Sequence, residues 1–396
     1  MKRNILLTTA ALVCALGVNA QNNANYNQTL GQDDKVNAIN TAVPFLRIAP
    51  DSRSGAMGDA GIALSPDAYA QTWNSSKLAF VQTPYGLSIT YVPWLRQLIN
   101  DMNLAYVSGY YQLDKLQAIG ASLRYFTMGN VTFYNNNGDP MGNFSPHEMA
   151  FDLSYNRKLS DNFALGLAGR FIYSNLTGGE GGQDNEQVES GKSFAVDING
   201  YYTDEIKIGQ YDCNWAAGFS ISNLGAKLGY TAETKNFIPT NLGIGGALTV
   251  NIDRYNKICG TIDFNKLLVP TPPIYETNEV GEKRIIKGKS DDVGIVQGVF
   301  QSFGDATDGF SEELKEITTS IGAEYWYADQ FAARLGYFHE NAKKGNRKYF
   351  TAGVGMKMKM LGLDFSYLIP AGNFSNSPLK NTWRFSLTIN FDDIAN

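Results

Sequence analysis

Cysteine, histidine and long apolar runs are all scarce in this chain. Of 396 residues, three are Cys and two are His. Cys14 sits inside an apolar N-terminal stretch and follows Val13, not the small residue that precedes a lipoprotein cut. Cys213 and Cys259 remain, too few for a disulfide framework: one bridge forms if their strands are neighbours, and otherwise they are two packed thiols. Neither H-x-x-x-H nor C-x-x-C occurs, so no metal pattern is present. His147 and His339 fall at strand ends away from any nucleophile elbow, which leaves no base, orienter and nucleophile for a catalytic set. Beyond the first 20 residues no run approaches the roughly 18 apolar residues of a membrane helix, which excludes a helical membrane protein. No Lys/Arg block occurs, and a net charge of −5 with a pI of about 5.3 argues against a nucleic-acid partner. Cofactor signals are equally thin. Gly178 to Gly182 lacks the Lys-Ser/Thr of a phosphate loop and reads as a flexible turn. Asp305-Ala306-Thr307-Asp308-Gly309 has the wrong acidic spacing for an EF-hand and reads as a turn capping a short polar helix over 311–317.

What the chain has in quantity is aromatic residues, at 12%, and 40 glycines. Lys2 and Arg3, an apolar stretch from Ile5 to Val18, and Val18-Asn19-Ala20 before Gln21 match a secretory signal peptide over 1–20. Residues 21–40 are Asn- and Gln-rich and read as disordered. From residue 83 onward the dominant signal has period two. In Trp383 to Phe391 the large apolar residues Trp383, Phe385, Leu387, Ile389 and Phe391 share one face, and Arg384, Ser386, Thr388 and Asn390 share the other. Fourteen such segments lie near 85–93, 103–113, 117–129, 147–159, 162–175, 190–204, 211–223, 241–252, 256–267, 318–328, 330–340, 347–359, 361–369 and 382–392. The number is even, as a single-chain bacterial barrel requires, and tight connections alternate with mostly long ones, as periplasmic turns alternate with extracellular loops. A secreted β-sandwich, the structural alternative, has no reason to keep that alternation in phase. The spacing therefore predicts an all-β transmembrane antiparallel barrel of about 14 strands over 83–396, apolar toward lipid.

A lumen of that width is too wide for strand side chains to fill. Residues 41–82, rich in small residues and turn formers, are expected to form a hatch or plug inside it. The faces expected to look inward carry Glu148, Asp152, Arg170, Asp197, Asp263, Arg334, Lys357, Lys359, Asp364 and Arg384, charges that either pair with one another and the hatch or line a wet channel. Two loops are more apolar than water-exposed loops should be. One holds Trp94, Leu95, Leu98 and Ile99, read equally as an interfacial belt or as a surface for a hydrophobic partner. The other, about 267–317, holds Pro270, Ile274 and Tyr275 and then the run GIVQGVF, and reads as a lid or a protein-docking element, with room for an extra hairpin that would absorb that run.

The stretch Ser54 to Phe80 resembles the N-terminal hatch of the fatty-acid transporter (FadL) superfamily. Gly55, Gly58, Asp59 and Ala60 match its Gly-rich segment, Asp67 its acidic position, and Trp73-Asn74 its approach to strand one, with Ser75 where that superfamily has proline. Within it, the block TAVPFLRIAPDSRSGAMGDAG through Trp73-Asn74, and then Tyr85 to Tyr111, resembles the PorV (LptO) family of the type IX secretion system. The resemblance implies a non-enzymatic outer-membrane protein that takes cargo by its C-terminal signal domain after passage through the large translocon. It implies delivery of that cargo to a cell-surface sortase and attachment complex. Two other functions stay open at this point: a FadL-type channel for hydrophobic small molecules, and a lipid A deacylase, for which the sequence shows no catalytic constellation. The resemblance gives the hatch residues Gly55, Gly58, Asp59, Trp73 and Asn74 a structural role, and neither it nor the residues call for a cofactor.

Overall fold

The computed structural model describes residues 37–96, 99, 101–134, 140–176, 189–231, 234–277, 283–372 and 377–391. Residues 1–20, expected to be a signal peptide, most of the Asn/Gln-rich segment, Leu98 and Gly178 to Gly182 lie outside the described residues. The strands are β1 Tyr85–Pro93, β2 Met102–Gln112, β3 Gln117–Met128, β4 Val131–Tyr134, β5 Pro140–Phe144, β6 His147–Lys158, β7 Phe163–Asn175, β8 Gly191–Ile208 and β9 Tyr211–Gly225. They continue as β10 Asn241–Asn251, β11 Asn256–Leu267, β12 Ile274–Thr277, β13 Lys283–Lys287, β14 Thr318–Tyr327, β15 Phe331–His339, β16 Lys348–Met358, β17 Leu361–Pro370 and β18 Trp383–Phe391.

Fourteen of these strands form one closed antiparallel barrel, and β4–β5 and β12–β13 are two separate hairpins in the loops. Closure is made by β1 against β18, from Tyr85 opposite Phe391 to Tyr91 opposite Phe385. A closed ladder leaves no unpaired backbone edge, the condition for strands to stand in hydrocarbon. The side-chain period then sorts the faces. Phe151, Leu153, Phe194, Leu335, Val354 and Phe385 are exposed on the outside, while Asp152, Arg170, Asp197, Arg334 and Arg384 are buried inside. Among the described residues no helix is long and apolar enough to cross a membrane.

The strand boundaries match the expected ones to within one or two residues with one exception. β8 runs on to Ile208 and turns through Gly209 and Gln210, so the connection expected over 205–210 is a tight turn. Two further expectations are corrected. The run GIVQGVF is not absorbed by the hairpin β12–β13; it forms the helix Ile295–Gln301. Lys357 and Lys359 lie at the β16–β17 turn and are exposed there, because the strand has already left the lumen. Cys213 and Cys259 are free buried thiols, on β9 and β11, with β10 between them.

Candidate functional site

Residues 37–84 run through the inside of the barrel as short helical turns joined by extended segments. Their course is fixed by backbone contact with glycines on the inner wall. Gly322 and Gly336 face each other on β14 and β15. A Cβ on Gly336 would lie 2.0 Å from Gly58 N, and one on Gly322 would lie 2.6 Å from Met57 O, so the turn Met57–Gly58 rests directly on the sheet. Gly58 itself has φ +72 and would place a Cβ 2.6 Å from Tyr337 O, so neither side of this contact tolerates a side chain. Gly58 N donates to Thr351 Oγ1 at 2.9 Å.

Charged side chains fasten the same segment laterally. Glu324 on β14 accepts from Arg53 NH2 at 2.8 Å and from Arg334 Nε at 2.6 Å. Arg53 also reaches Asp67 at 2.7 Å, and Arg334 reaches Asp364, giving the alternating row Asp67, Arg53, Glu324, Arg334, Asp364. Arg384 on β18 donates to Ala49 O and Asp59 Oδ1, and Tyr349 donates to Asp59 Oδ2. Asp263 accepts from the N–H groups of Gly61 and Ile62 at 2.7 and 2.9 Å. Asn74, fully buried, donates to Ile62 O and to Gly200 O on β8. Trp73 Nε1 donates to Asp51 at 2.6 Å, and Gly55 O accepts from Arg384. Of the five positions singled out by the resemblance, Gly55, Gly58, Asp59 and Asn74 contact the barrel wall, and Trp73 bonds within the segment. Arg53 and Glu324, which carry most of its charge pairing, were not among the candidates. Glu324 had a signal, since it occupies the polar parity of Ile321-Gly322-Ala323-Glu324-Tyr325, whereas Arg53 lies in a segment without period.

Further toward the long loops the lumen is apolar. Val43 and Phe45 pack with Val92, Leu104, Phe126, Ile172, Leu228 and Ile238, and Trp94 and Leu95 pack against this cluster from the β1–β2 loop. Those two residues are therefore half-buried packing elements, whereas Ile99 in the same loop is exposed. Pro270 is buried, while Ile274 and Tyr275 on β12 are exposed.

The loop between β11 and β14 carries the most exposed apolar side chains. Gly298 on the helix Ile295–Gln301 packs on Phe237 and Pro270, where a Cβ would come within 2.7 Å of the Phe237 ring. With Gly298 and Ser302 turned inward, Val296 and Phe300, one turn apart, face outward at 69% and 74% exposure, and Phe303 follows at 52%. The next turn, Phe310–Glu313, is anchored by carboxylates. Glu312 bonds Lys344 at 2.6 Å, and Glu313 bonds Lys266 at 2.9 Å and caps the N–H groups of Asp305 and Ala306. Burial pushes both carboxyls up, but the ammonium partners and backbone N–H donors outweigh it and hold both below the usual carboxylate range. Asp305, expected in a capped turn, accepts from Thr271 N, and burial pushes its carboxyl up.

The histidines take part in no catalytic pairing among the described residues. His147 Nδ1 faces Ser145 O, and His339 faces the Tyr337 hydroxyl.

No curated protein matches the chain. Among solved structures it is similar to the Pseudomonas putida toluene transporter TodX, at 11% identity over 86% of this chain and 98% of that one, with a TM-score of 0.45. It is also similar to the Ralstonia pickettii toluene transporter TbuX, at 12% identity over 86% and 98% with a TM-score of 0.41. A Pseudomonas aeruginosa FadL homologue aligns at 10% identity over 90% and 99% with a TM-score of 0.41. A family model described as type IX secretion system protein PorV matches residues 31–274. That match covers more than half of the chain, and with the closed, outwardly apolar barrel it places the protein in the outer membrane as a member of the PorV family of the type IX secretion system.

Proposed function

We propose that the protein receives type IX cargo at the extracellular face by its C-terminal signal domain, once the large outer-membrane translocon has passed it. Handover to the cell-surface sortase and attachment complex follows. The barrel is the anchor and the loops are the receptor. The observation that carries this reading is the stripe Val296, Phe300 and Phe303, held outward by the packing of Gly298 against Phe237 and Pro270. Protein docking draws most of its energy from a few such apolar and aromatic anchors, and a helix face docks by residues one turn apart. Ile274 and Tyr275 on the neighbouring hairpin add exposed apolar area. Pro270 supports this surface from beneath, against Gly298, and Trp94 and Leu95 pack on the lumen cluster around Phe45.

The reading is non-catalytic. A channel for hydrophobic small molecules needs an open path, and both the ion-paired segment 49–67 and the apolar cluster around Phe45 lie within the barrel, where such a solute would have to pass them. The test exchanges Val296, Phe300 and Phe303 for Ser and measures co-purification of signal-domain proteins, secretion of cargo and uptake of a hydrophobic solute. Lost co-purification of signal-domain proteins, with the barrel still assembled, supports the receptor. Intact secretion together with altered solute uptake refutes it in favour of the channel.

A further inference from the structure

The turn Phe310–Glu316 is inside out. Its three glutamates are buried, at 3% for Glu312, 6% for Glu313 and 7% for Glu316, while Phe310 and Leu314, four residues apart, stand 76% and 53% exposed. A segment in water has the reverse arrangement, since carboxylates are the residues least often buried. The burial is not a defect of charge, because each carboxylate is bonded. Glu316 accepts from Lys344 at 2.9 Å and Thr271 Oγ1 at 2.7 Å and joins Glu313 on Lys266, and Glu312 holds Lys344, Thr307 and Asp308 N.

Where this turn sits follows from the alternation of β11. Ile258, Gly260, Ile262 and Phe264 occupy the outward positions, with Ile262 37% and Phe264 44% exposed to the lipid side. Lys266 is next in that series, yet its side chain is only 12% exposed, because Glu313 and Glu316 cover its ammonium. The turn therefore lies over the lipid-side column of β11 at its extracellular end. Its own uncovered residues, Phe310 and Leu314, are on the side away from these glutamates.

We propose that Phe310 and Leu314 insert into the acyl-chain layer of the outer leaflet, so that this turn raises the lipid-facing band of the barrel above the end of β11. The occupant is lipid because the turn is tied through Lys266 to the end of a lipid-facing column, and because that lysine, which would otherwise end the column with a charge, is neutralised by the turn. An ammonium left bare at that depth would be costly, and pairing it with bonded carboxylates is what allows the rim to be apolar. The surface is separate from the Val296–Phe300 stripe, so it stands or falls independently of the cargo-receptor reading.

The test uses the full barrel in phosphatidylcholine nanodiscs, with Cys213 and Cys259 replaced by Ala and a nitroxide attached at Phe310→Cys or Leu314→Cys. Reference labels are Ile262→Cys on the lipid face and Asp292→Cys in water. Collision with oxygen should exceed collision with a water-soluble nickel chelate at Phe310 and Leu314, as at Ile262, with a ratio several-fold above that at Asp292. A ratio equal to that at Asp292 overturns the proposal, and so does shielding from both reagents, which would mean a protein covers the turn. If a labelled variant fails to assemble, brominated acyl chains quenching Phe310→Trp, against the same variant in unbrominated lipid, give the same decision.

Discussion

Replacing Glu324 with Gln should loosen the segment 49–67 from the barrel wall while leaving the shape of the site nearly unchanged. Three charge-assisted bonds end on this carboxylate, from Arg53 Nε at 3.1 Å, Arg53 NH2 at 2.8 Å and Arg334 Nε at 2.6 Å. Each is worth about 1.5–3 kcal/mol net, and breaking a buried pair by removing one partner costs about 3–5 kcal/mol. Arg53 keeps Asp67 and Arg334 keeps Asp364, so neither guanidinium is orphaned and the lower end of that range, about 3 kcal/mol, is expected. Part of the loss falls inside the wall and part between wall and plug. A double-mutant cycle of Glu324→Gln with Arg53→Met, read by denaturant unfolding in micelles and by proteolysis of the N-terminal segment, isolates the second part. The coupling should be about 1–3 kcal/mol. Strictly additive effects, with proteolysis unchanged, would show that this ion pair does not hold the segment in place.

Gly58→Val should destabilise assembly by about 1–3 kcal/mol or more, from an unfavourable φ and collision with the Tyr337 backbone; an unchanged heat-induced mobility shift in detergent gels would contradict that seating. Phe385→Arg, on the outer face of β18, should impair membrane insertion by about 2–4 kcal/mol, and wild-type barrel levels would mean the faces are assigned wrongly. Acid should release the turn Phe310–Glu316. Glu312 and Glu313 have depressed folded-state values, so the stability they contribute is complete above the unfolded carboxylate value near about 4.3 and is lost as pH falls through the folded values. Asp305, shifted up, works weakly in the opposite sense. Hydrogen exchange of the turn, corrected for intrinsic rate, should show protection constant from about pH 6 to 8 and falling below about pH 4; protection independent of pH would remove the carboxylates from its anchoring.

The barrel was legible because its physics is local. Alternation in β6, β17 and β18 sets which face meets lipid, and turn residues between strands set the register, so the chain spells out both without reference to distant residues. The plug was legible only as a need, from the width of the lumen, and as a resemblance at Gly55, Gly58, Asp59, Trp73 and Asn74. Its seating on Gly322 and Gly336 joins residues more than 260 positions apart, and no local period reports such a contact. The loops were read least well. Trp94 and Leu95 looked like exposed anchors because a loop beside a strand is normally solvated, but the lumen cluster around Phe45 offers them an apolar surface. The run GIVQGVF is apolar on both a strand and a helix pattern, and Gly298 against Phe237 decides for the helix. The segment 311–317 read only as a short polar helix, and which side of it faces inward depends on Lys266 and Lys344, far away in sequence.

The central claim, that ordered extracellular loops bind the cargo signal domain, is tested most directly by titrating the purified protein in nanodiscs with an isolated C-terminal signal domain of a type IX substrate. The wild type should bind saturably, and the Val296→Ser, Phe300→Ser, Phe303→Ser variant should bind at least about 100-fold more weakly, since central aromatic anchors cost about 2 kcal/mol or more each when truncated. Equal affinity of the two proteins, or no binding by the wild type, would contradict it.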